Sequence, residues 1–396
     1  MPRLPDRTRV LVSVLVCQMG LGLGAYVFAT FLKPIVVEMG WSRAAFSISS
    51  LPLLLAMSAA SPVIGTLTDR LGARVVFSGA ITAVSVTLFL FSQMRGLADF
   101  YVLGFVLGAA VTGLGDIPAG AVVSRWFREN RGLALGVVYV GSNIGGAIVP
   151  LVATSVTDFT GWRTALQILA VGSWLWVFPF AFFGVRGGDE GGGPAREEDG
   201  DDDAGSLTLA QALRTANFWI LAAGVFLFYV YYLGVNNHLV AYLSDVGFSD
   251  AAAARRFSAA VAVGIIGKIG MGLLADRIPK LRALVVLFLA LTVASVLLLG
   301  VERLPGLLVP FLILHGLTVA AENVVLPLAI AECFGAKHMA AIYGAIMLAL
   351  LPGGVIGPTL SGWVFDELGS YRLAFTLFAV TNVATVIALS RLRPLR

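Results

Sequence analysis

Charge is what this sequence has least of. Of 396 residues only 13% are Asp, Glu, Lys or Arg, and 58% are hydrophobic, whereas a water-soluble domain carries roughly a quarter charged residues. The few charges cluster in short segments between long apolar runs, so the chain cannot cover its apolar surface in water, and lipid is its natural solvent. Cysteine is nearly absent too. Cys17 and Cys333 lie far apart, each in or beside an apolar run, which excludes a disulfide framework and cysteine-based metal spacing. No glycine-rich phosphate loop, metal-ligand cluster or catalytic triad is present. Neither ATP-driven work nor enzymatic bond chemistry is therefore expected, nor any cofactor or bound metal. The first apolar run is too long for a signal-peptide core and lacks a small-residue cleavage site, so it is read as a retained span.

What the sequence does have is apolar runs long enough to cross about 30 Å of hydrocarbon. They fall near residues 10–32, 44–65, 75–93, 100–123, 133–156 and 164–185, and again near 217–243, 256–275, 282–300, 306–331, 339–364 and 371–391. An even count puts both termini on one side. The basic residues Arg3, Arg7, Arg70, Arg74, Arg125, Arg128, Arg131, Arg277, Lys280, Arg282 and Arg391 then fall in cytoplasmic segments, which predicts cytoplasmic termini in a multi-pass inner (cytoplasmic) membrane protein. The expected fold is all-α, with twelve transmembrane helices in two pseudo-symmetric six-helix bundles, 1–185 and 215–396. Residues 186–214 are rich in Asp, Glu and Gly and cannot bury a core, so they read as a disordered cytoplasmic linker.

The two halves echo each other. Gly40-Trp41-Ser42 matches Gly247-Phe248-Ser249, and Gly65, Asp69 and Arg70 match Gly272, Asp276 and Arg277, all at an offset of 207; Phe127 pairs with Phe334. Pro150, Asp158 and Gly161 pair with Pro358, Asp366 and Gly369 at 208, and Arg163 with Arg372 at 209. Repeats in the same orientation joined by a flexible linker are the sequence mark of two bundles rocking about a central cavity.

The segment Gly65-Thr-Leu-Thr-Asp69-Arg70-Leu-Gly72-Ala-Arg74 resembles the G-x-x-x-D-R-x-G-x-R signature of the major facilitator superfamily, with a degenerate copy from Gly272 to Arg282. The resemblance implies that Gly65, Asp69, Arg70, Gly72, Arg74, Asp276 and Arg277 form conformational latches. Asp69 would cap or pair with nearby helix termini and basic residues, and Gly72 would permit a tight turn. A narrower likeness lies in Arg125-Trp126-Phe127-Arg-Glu-Asn-Arg131-Gly132-Leu133-Ala134-Leu-Gly136, continuing to Gly141 and Gly145, and in Gly40-Trp41-Ser42-Arg43. These are similar to the monocarboxylate transporters and the related oxalate:formate antiporters. Lys33 is the candidate for the lysine that animal carriers of this kind place near the outer end of the first helix.

Charges at bilayer depth cost several kcal/mol and so mark function. Lys268 lies near the middle of the eighth span, with Gly264 and Gly272 on its helical face, which would leave room around the ammonium. The resemblance implies a basic residue at this point that binds the substrate carboxylate. Animal members carry an aspartate one turn earlier, where this chain has Gly264, so proton coupling through such a pair is not expected. A lysine paired with a buried acid for structure is the bland alternative. Asp116 in the fourth span and Glu322 in the tenth occupy nearly equivalent places in the halves and are proton-coupling candidates, or structural partners of loop arginines. Asn143, Tyr26, Asn237 and His238 are candidate substrate contacts, with Asn236 and His315 as further polar groups near the cavity; interhelical hydrogen bonding is the simpler role for each.

Together these features describe a secondary carrier of small organic anions, monocarboxylates or short dicarboxylates. It would work by alternating access with a proton or counter-anion, as a monomer in membrane lipid, with no nucleic-acid partner. Drug or organic-cation efflux, with Asp116 and Glu322 binding the cation, is the first alternative. A transport-dead membrane sensor is the second.

Overall fold

The computed structural model describes residues 6–41, 50–127, 129–185 and 206–395, and these contain helices and short connections with no strand. Arg3, Ser42, Arg43, Arg128 and residues 186–205 lie outside the described residues, as do the side chains of Tyr26 and Lys33. The first half consists of α1 (Asp6–Met39), α2 (Ser50–Leu71), α3 (Ala73–Phe91), α4 (Leu97–Thr112), α5 (Asp116–Trp126), α6 (Arg131–Thr160) and α7 (Trp162–Pro179). The second consists of α8 (Leu209–Ala212), α9 (Ala216–Asn236), α10 (Leu239–Asp245), α11 (Asp250–Arg277), α12 (Lys280–Gly300), α13 (Leu308–Phe334), α14 (Met339–Ile346), α15 (Leu350–Leu368) and α16 (Arg372–Leu389).

Eleven helical spans among the described residues are long and apolar enough to cross a membrane. With the 34-residue α1 ahead of them, they make up the expected twelve. Large apolar side chains point outward in numbers no soluble protein tolerates, among them Leu175, Trp219, Trp363 and Phe183. The chain is a multi-pass membrane protein.

Among the described residues the fourth and seventh spans are interrupted, the sixth ends in a π-helical turn at Phe180–Gly184, and the eleventh changes helix type midway. The fourth breaks at residues 113–115 between α4 and α5, at Gly113 and Gly115. The seventh breaks at Asn237–His238, and the eleventh tightens into a 3-10 turn at Met347–Ala349. The repeat is visible in the backbone. Gly40 and Gly247 both have positive φ, at 66° and 98°, and so do Gly161 and Gly369, at 81° and 64°, conformations a residue with a Cβ adopts at a cost.

The end of the expected linker is ordered. Thr208 and Gln211 form a capping box around α8, and Leu207 N–H donates to the Phe334 carbonyl at 2.8 Å. Residues 206–214 therefore belong to the folded second half, because a capped turn anchored on the end of α13 has its backbone groups satisfied.

The chain forms two compact units that do not coincide with the sequence halves. One comprises Met1–Arg128, Val137–Ala204 and Ala336–Ala345; the other comprises Glu129–Gly136, Gly205–Gly335 and Ile346–Arg396. In the second unit α11 lies along α13, α12 packs on α13 and α16, and α9 packs on α15 and α16. Glycine sets the α11–α13 spacing: a Cβ on Gly267 would sit 2.2 Å from the Leu317 carbonyl oxygen, and one on Gly316 would sit 2.1 Å from that of Ala260. Small residues allow this approach, which in lipid supplies much of the helix–helix attraction.

Candidate functional site

Within each unit a carboxylate sits at the start of a helix that belongs, by sequence, to the other half. In the second unit Asp276, at the end of α11, accepts the N–H of Gly132 at 2.7 Å on Oδ1 and that of Leu133 at 2.9 Å on Oδ2. These donors are among the first of α6, which have no intrahelical acceptor. In the first unit Asp69, at the end of α2, accepts the N–H of Ala341 in α14 at 2.8 Å on Oδ2, while Oδ1 pairs with Arg125 at 3.5 Å.

Beside each carboxylate the helices cross at glycine. A Cβ on Gly272 would lie 2.3 Å from the Gly132 carbonyl oxygen, and one on Gly136 would lie 2.6 Å from that of Lys268. In the first unit a Cβ on Gly65 would lie 2.1 Å from the Ala340 oxygen, and one on Gly344 would lie 2.2 Å from that of Ser61. Gly65 and Ser61 correspond to Gly272 and Lys268 at the repeat offset, and Gly136 corresponds to Gly344 at 208. One device is used twice, with a lysine in one copy where the other has a serine.

Of the remaining signature residues, Gly72 takes φ 82° and starts α3, as its tight-turn role requires. The Arg74 guanidinium lies 4.3 Å from the centroid of the Phe182 ring. Arg70 and Arg277 are exposed.

Lys268 is 4% exposed on α11 and Glu322 is 3% exposed on α13, and each has an interaction partner. The expectation that Gly264 and Gly272 leave space beside the ammonium is not met. A Cβ on Gly264 would lie 2.8 Å from the Ala320 Cβ, and Gly272 faces Gly132. Both glycines admit a neighbouring helix instead. The same contacts give the register: Ala260 lies at Gly316 and Gly264 at Ala320, so Lys268, one turn further along α11, comes level with Glu322 and its neighbours on α13.

Asp116 differs from its counterpart. It is the first residue of α5, directly after the break in the fourth span, whereas Glu322 lies inside the continuous α13. Sequence position alone made the two look equivalent. Asp116 is half-buried; its Oδ1 accepts from Gln18 Nε2 at 3.1 Å and its main-chain oxygen accepts from the Tyr139 hydroxyl at 3.1 Å. Gln18 is fully buried, with Oε1 lacking a partner. Neither Gln18 nor Tyr139 stood out in the sequence, since an amide or phenol in an apolar run carries no spacing signal. Asn143, one turn beyond Tyr139, is half-buried and has a partner.

At the break in the seventh span Asn237 is exposed, while His238 is fixed on both ring nitrogens. Nε2 donates to the Pro358 carbonyl at 3.0 Å and Nδ1 accepts from the Tyr371 hydroxyl at 3.2 Å. Burial, reinforced by Asp245 and Asp366, holds the Tyr371 phenol above its ordinary pKa, so it remains a donor. Asn237 and His238 thus stand at the end of a helix, and the contacts His238 makes are those that order the break there.

Long apolar helices in two repeats, two of them clamped at their starts by carboxylates, define a polytopic membrane carrier. The chain belongs to the Major Facilitator Superfamily, whose sequence profile matches residues 14–302 and 271–396. Monocarboxylate transporter 13 of Rattus norvegicus is 29% identical over 324 residues, covering 80% of this chain and 72% of the relative. Monocarboxylate transporter 12-B of Danio rerio is 26% identical, covering 83% and 75%. The nitrite extrusion protein of Bacillus subtilis is 23% identical, covering 91% and 88%. Among solved structures, the human organic anion transporter MFSD10 superposes with a TM-score of 0.72 at 16% identity, covering 98% of this chain and all of that one. A variant of the Escherichia coli fucose:proton symporter FucP superposes at 0.71 and 14%, covering 96% and 98%. The chain is a transporter with monocarboxylate transporter relatives, and not an enzyme.

The Asp276 clamp makes a direct prediction. Asp276→Ala leaves the Gly132 and Leu133 N–H groups without their acceptors, a loss of about 1–2 kcal/mol for a helix cap. The apparent melting temperature of the detergent-purified protein falls by several degrees, and Asp276→Asn recovers part of the loss because its amide oxygen still accepts. Identical melting for wild type and Asp276→Ala contradicts the clamp.

Proposed function

We propose that this transporter moves small organic anions, monocarboxylates or short dicarboxylates, by alternating access, in exchange for another anion or together with a proton. The observation that carries this reading is a lysine almost fully buried in the middle of a membrane span. An ammonium at that depth is costly unless an anion neutralises it, and a small carboxylate is the simplest mobile partner. The relatives named as monocarboxylate transporters and as a nitrite extrusion protein support an anionic cargo. Glu322, level with Lys268 on the adjacent helix, supplies the counter-charge when no substrate is bound. Asn143, Tyr26, Asn237 and His238 are proposed to shape access to the anion, and Asp116 and Glu322 are the carboxylates available to a coupling proton.

In the same reading residues 1–185 and 215–396 act as two six-helix bundles, with both termini and the linker on the cytoplasmic side of the cytoplasmic membrane. The Asp69 and Asp276 clamps act as latches that bias the transport equilibrium. Orientation is tested by impermeant thiol labelling of intact cells. A cysteine placed at Asp158 or Asp366 is labelled and one placed at Gly200 is not; labelling at position 200 overturns the orientation.

Lys268 tests the cargo. Lys268→Ala removes the partner of the carboxylate, which then faces a low-dielectric environment at a cost of several kcal/mol. Uptake of radiolabelled pyruvate, lactate and oxalate into proteoliposomes falls by orders of magnitude while the protein remains folded. Lys268→Arg keeps part of the activity with altered preference among these anions, since a planar guanidinium favours bidentate carboxylates. Unchanged anion uptake in Lys268→Ala sinks the reading and turns attention to cationic cargo.

A further inference from the structure

The second unit contains a buried chain of polar side chains that the anion site leaves unused. His315 on α13 is 3% exposed. Its Nδ1 lies 2.8 Å from the hydroxyl of Tyr231 on α9, and its Nε2 lies 3.0 Å from Oδ1 of Asn236 at the end of the same helix. Tyr231 is fully buried, and Ser295 of α12 neighbours its hydroxyl. Ser295 Oγ donates to the Leu291 carbonyl and accepts from Nδ2 of Asn382 on α16, both at 2.9 Å. Asn382 is fully buried, and its Oδ1 has no hydrogen-bond partner. The Phe311 ring packs against the imidazole and the Phe378 ring against the phenol.

Donor and acceptor matching allows the His315 end of this chain two states. Asn236 Oδ1 only accepts, so His315 Nε2 carries a hydrogen and donates to it. With the imidazole neutral, Nδ1 accepts from the Tyr231 O–H. Adding a proton to Nδ1 reverses that one bond: Nδ1–H donates to the Tyr231 oxygen, and the phenol O–H turns to Ser295 Oγ, which has a lone pair left. A histidine serving only as a packing element needs one satisfied state, whereas this one is surrounded for two.

From this we infer that His315 is the proton-carrying residue of the transporter, with Tyr231 and Ser295 as its positioning residues, in place of the carboxylates. The inference rests on the anion-carrier reading. The proton comes from water on one side and returns to water on the other, so only an N–H bond forms and breaks. Its way in is polar: Asn236 is half-exposed and adjoins the helix break at Asn237 and His238.

The titratable and charged groups on the elements around His315 are few. Tyr231 comes from α9, Arg255, Arg256 and Lys268 from α11 and Glu322 from α13 itself, and His238 lies beyond the end of α9. The charged residues of α12 and α16 stand at the ends of those helices, leaving Ser295 and Asn382 within the network. The α11–α13 register places Lys268 about seven to nine residues further along than His315, roughly 10–14 Å at the helical rise. Two cations at that spacing in lipid repel each other, so an anion on Lys268 favours the proton on His315, and the reverse holds by linkage. That is the thermodynamic requirement for moving the two together.

Proteoliposomes loaded with radiolabelled pyruvate separate the possibilities. His315→Gln lowers pH-gradient-driven pyruvate uptake by about tenfold or more but leaves pyruvate–pyruvate exchange within about twofold of wild type, and Tyr231→Phe shifts the pH midpoint of the driven uptake. Lys268→Ala loses both modes. Equal loss of both modes in His315→Gln, or driven uptake unchanged, overturns the inference. If the wild type moves pyruvate in neither mode, the anion reading fails, and NMR titration of the purified protein decides on His315. The chain has three histidines, so comparison with His315→Gln assigns the signal. An imidazole that takes up a proton between about pH 4 and pH 8 supports the inference, and one that stays neutral throughout overturns it.

Discussion

Hydrocarbon offers no hydrogen bonds and solvates no charge, so each polar group carried into the membrane must find its partner within the protein. That constraint organises this molecule. It explains why α11 and α13 approach closely enough for Gly267 to meet a main-chain carbonyl, since close packing is the attraction that remains when water is absent. It explains why the first N–H groups of α6 and α14 are received by Asp276 and Asp69. It also makes the buried Lys268 the most informative residue in the chain, because nothing about packing requires an ammonium there.

The two clamps are alike in their backbone contacts and unlike in their charge. Asp69 shares its second oxygen with Arg125, whereas Asp276 spends both oxygens on main-chain donors. At the crossing beside them the first unit has Ser61, buried and hydrogen-bonded to the Met57 carbonyl, and the second has Lys268. A duplicated scaffold has thus been made chemically asymmetric at one position. The symmetric part suits a mechanical role, in which two equivalent helix anchors form and release. The asymmetric part suits binding, because it puts a cation in one copy of the crossing and not in the other.

Much of this was legible in the sequence, for identifiable reasons. Long apolar runs determine spans almost by themselves, and the repeat pairs Gly40/Gly247 and Gly161/Gly369 proved to share a positive φ, so their recurrence had a conformational cause. Asp69 and Asp276 stood out through the loop signature and its repeat, and Lys268 because charge near lipid is rare. Other features were hidden. The helical face containing Gly264, Lys268 and Gly272 was visible, but not which helices would cover its glycines. The break before Asp116 depends on two glycines among many. The networks of Gln18 and Tyr139, and of Tyr231, Ser295 and Asn382, join residues far apart in the chain, and ordinary polar residues in apolar runs do not announce their partners. The ordered turn at Thr208 was masked by the acidic stretch before it.

A carboxylate held by Lys268 in the folded transporter has to stabilise that fold by mass action. A thermal-shift series on the purified protein against a panel of small carboxylates therefore probes the site without assuming a direction of transport. A ligand at one hundred times its dissociation constant stabilises the folded state by about 2.7 kcal/mol. At least one carboxylate should raise the apparent melting temperature of the wild type and leave Lys268→Ala unmoved. Equal stabilisation of both proteins, or stabilisation by organic cations alone, is incompatible with an anion site at Lys268.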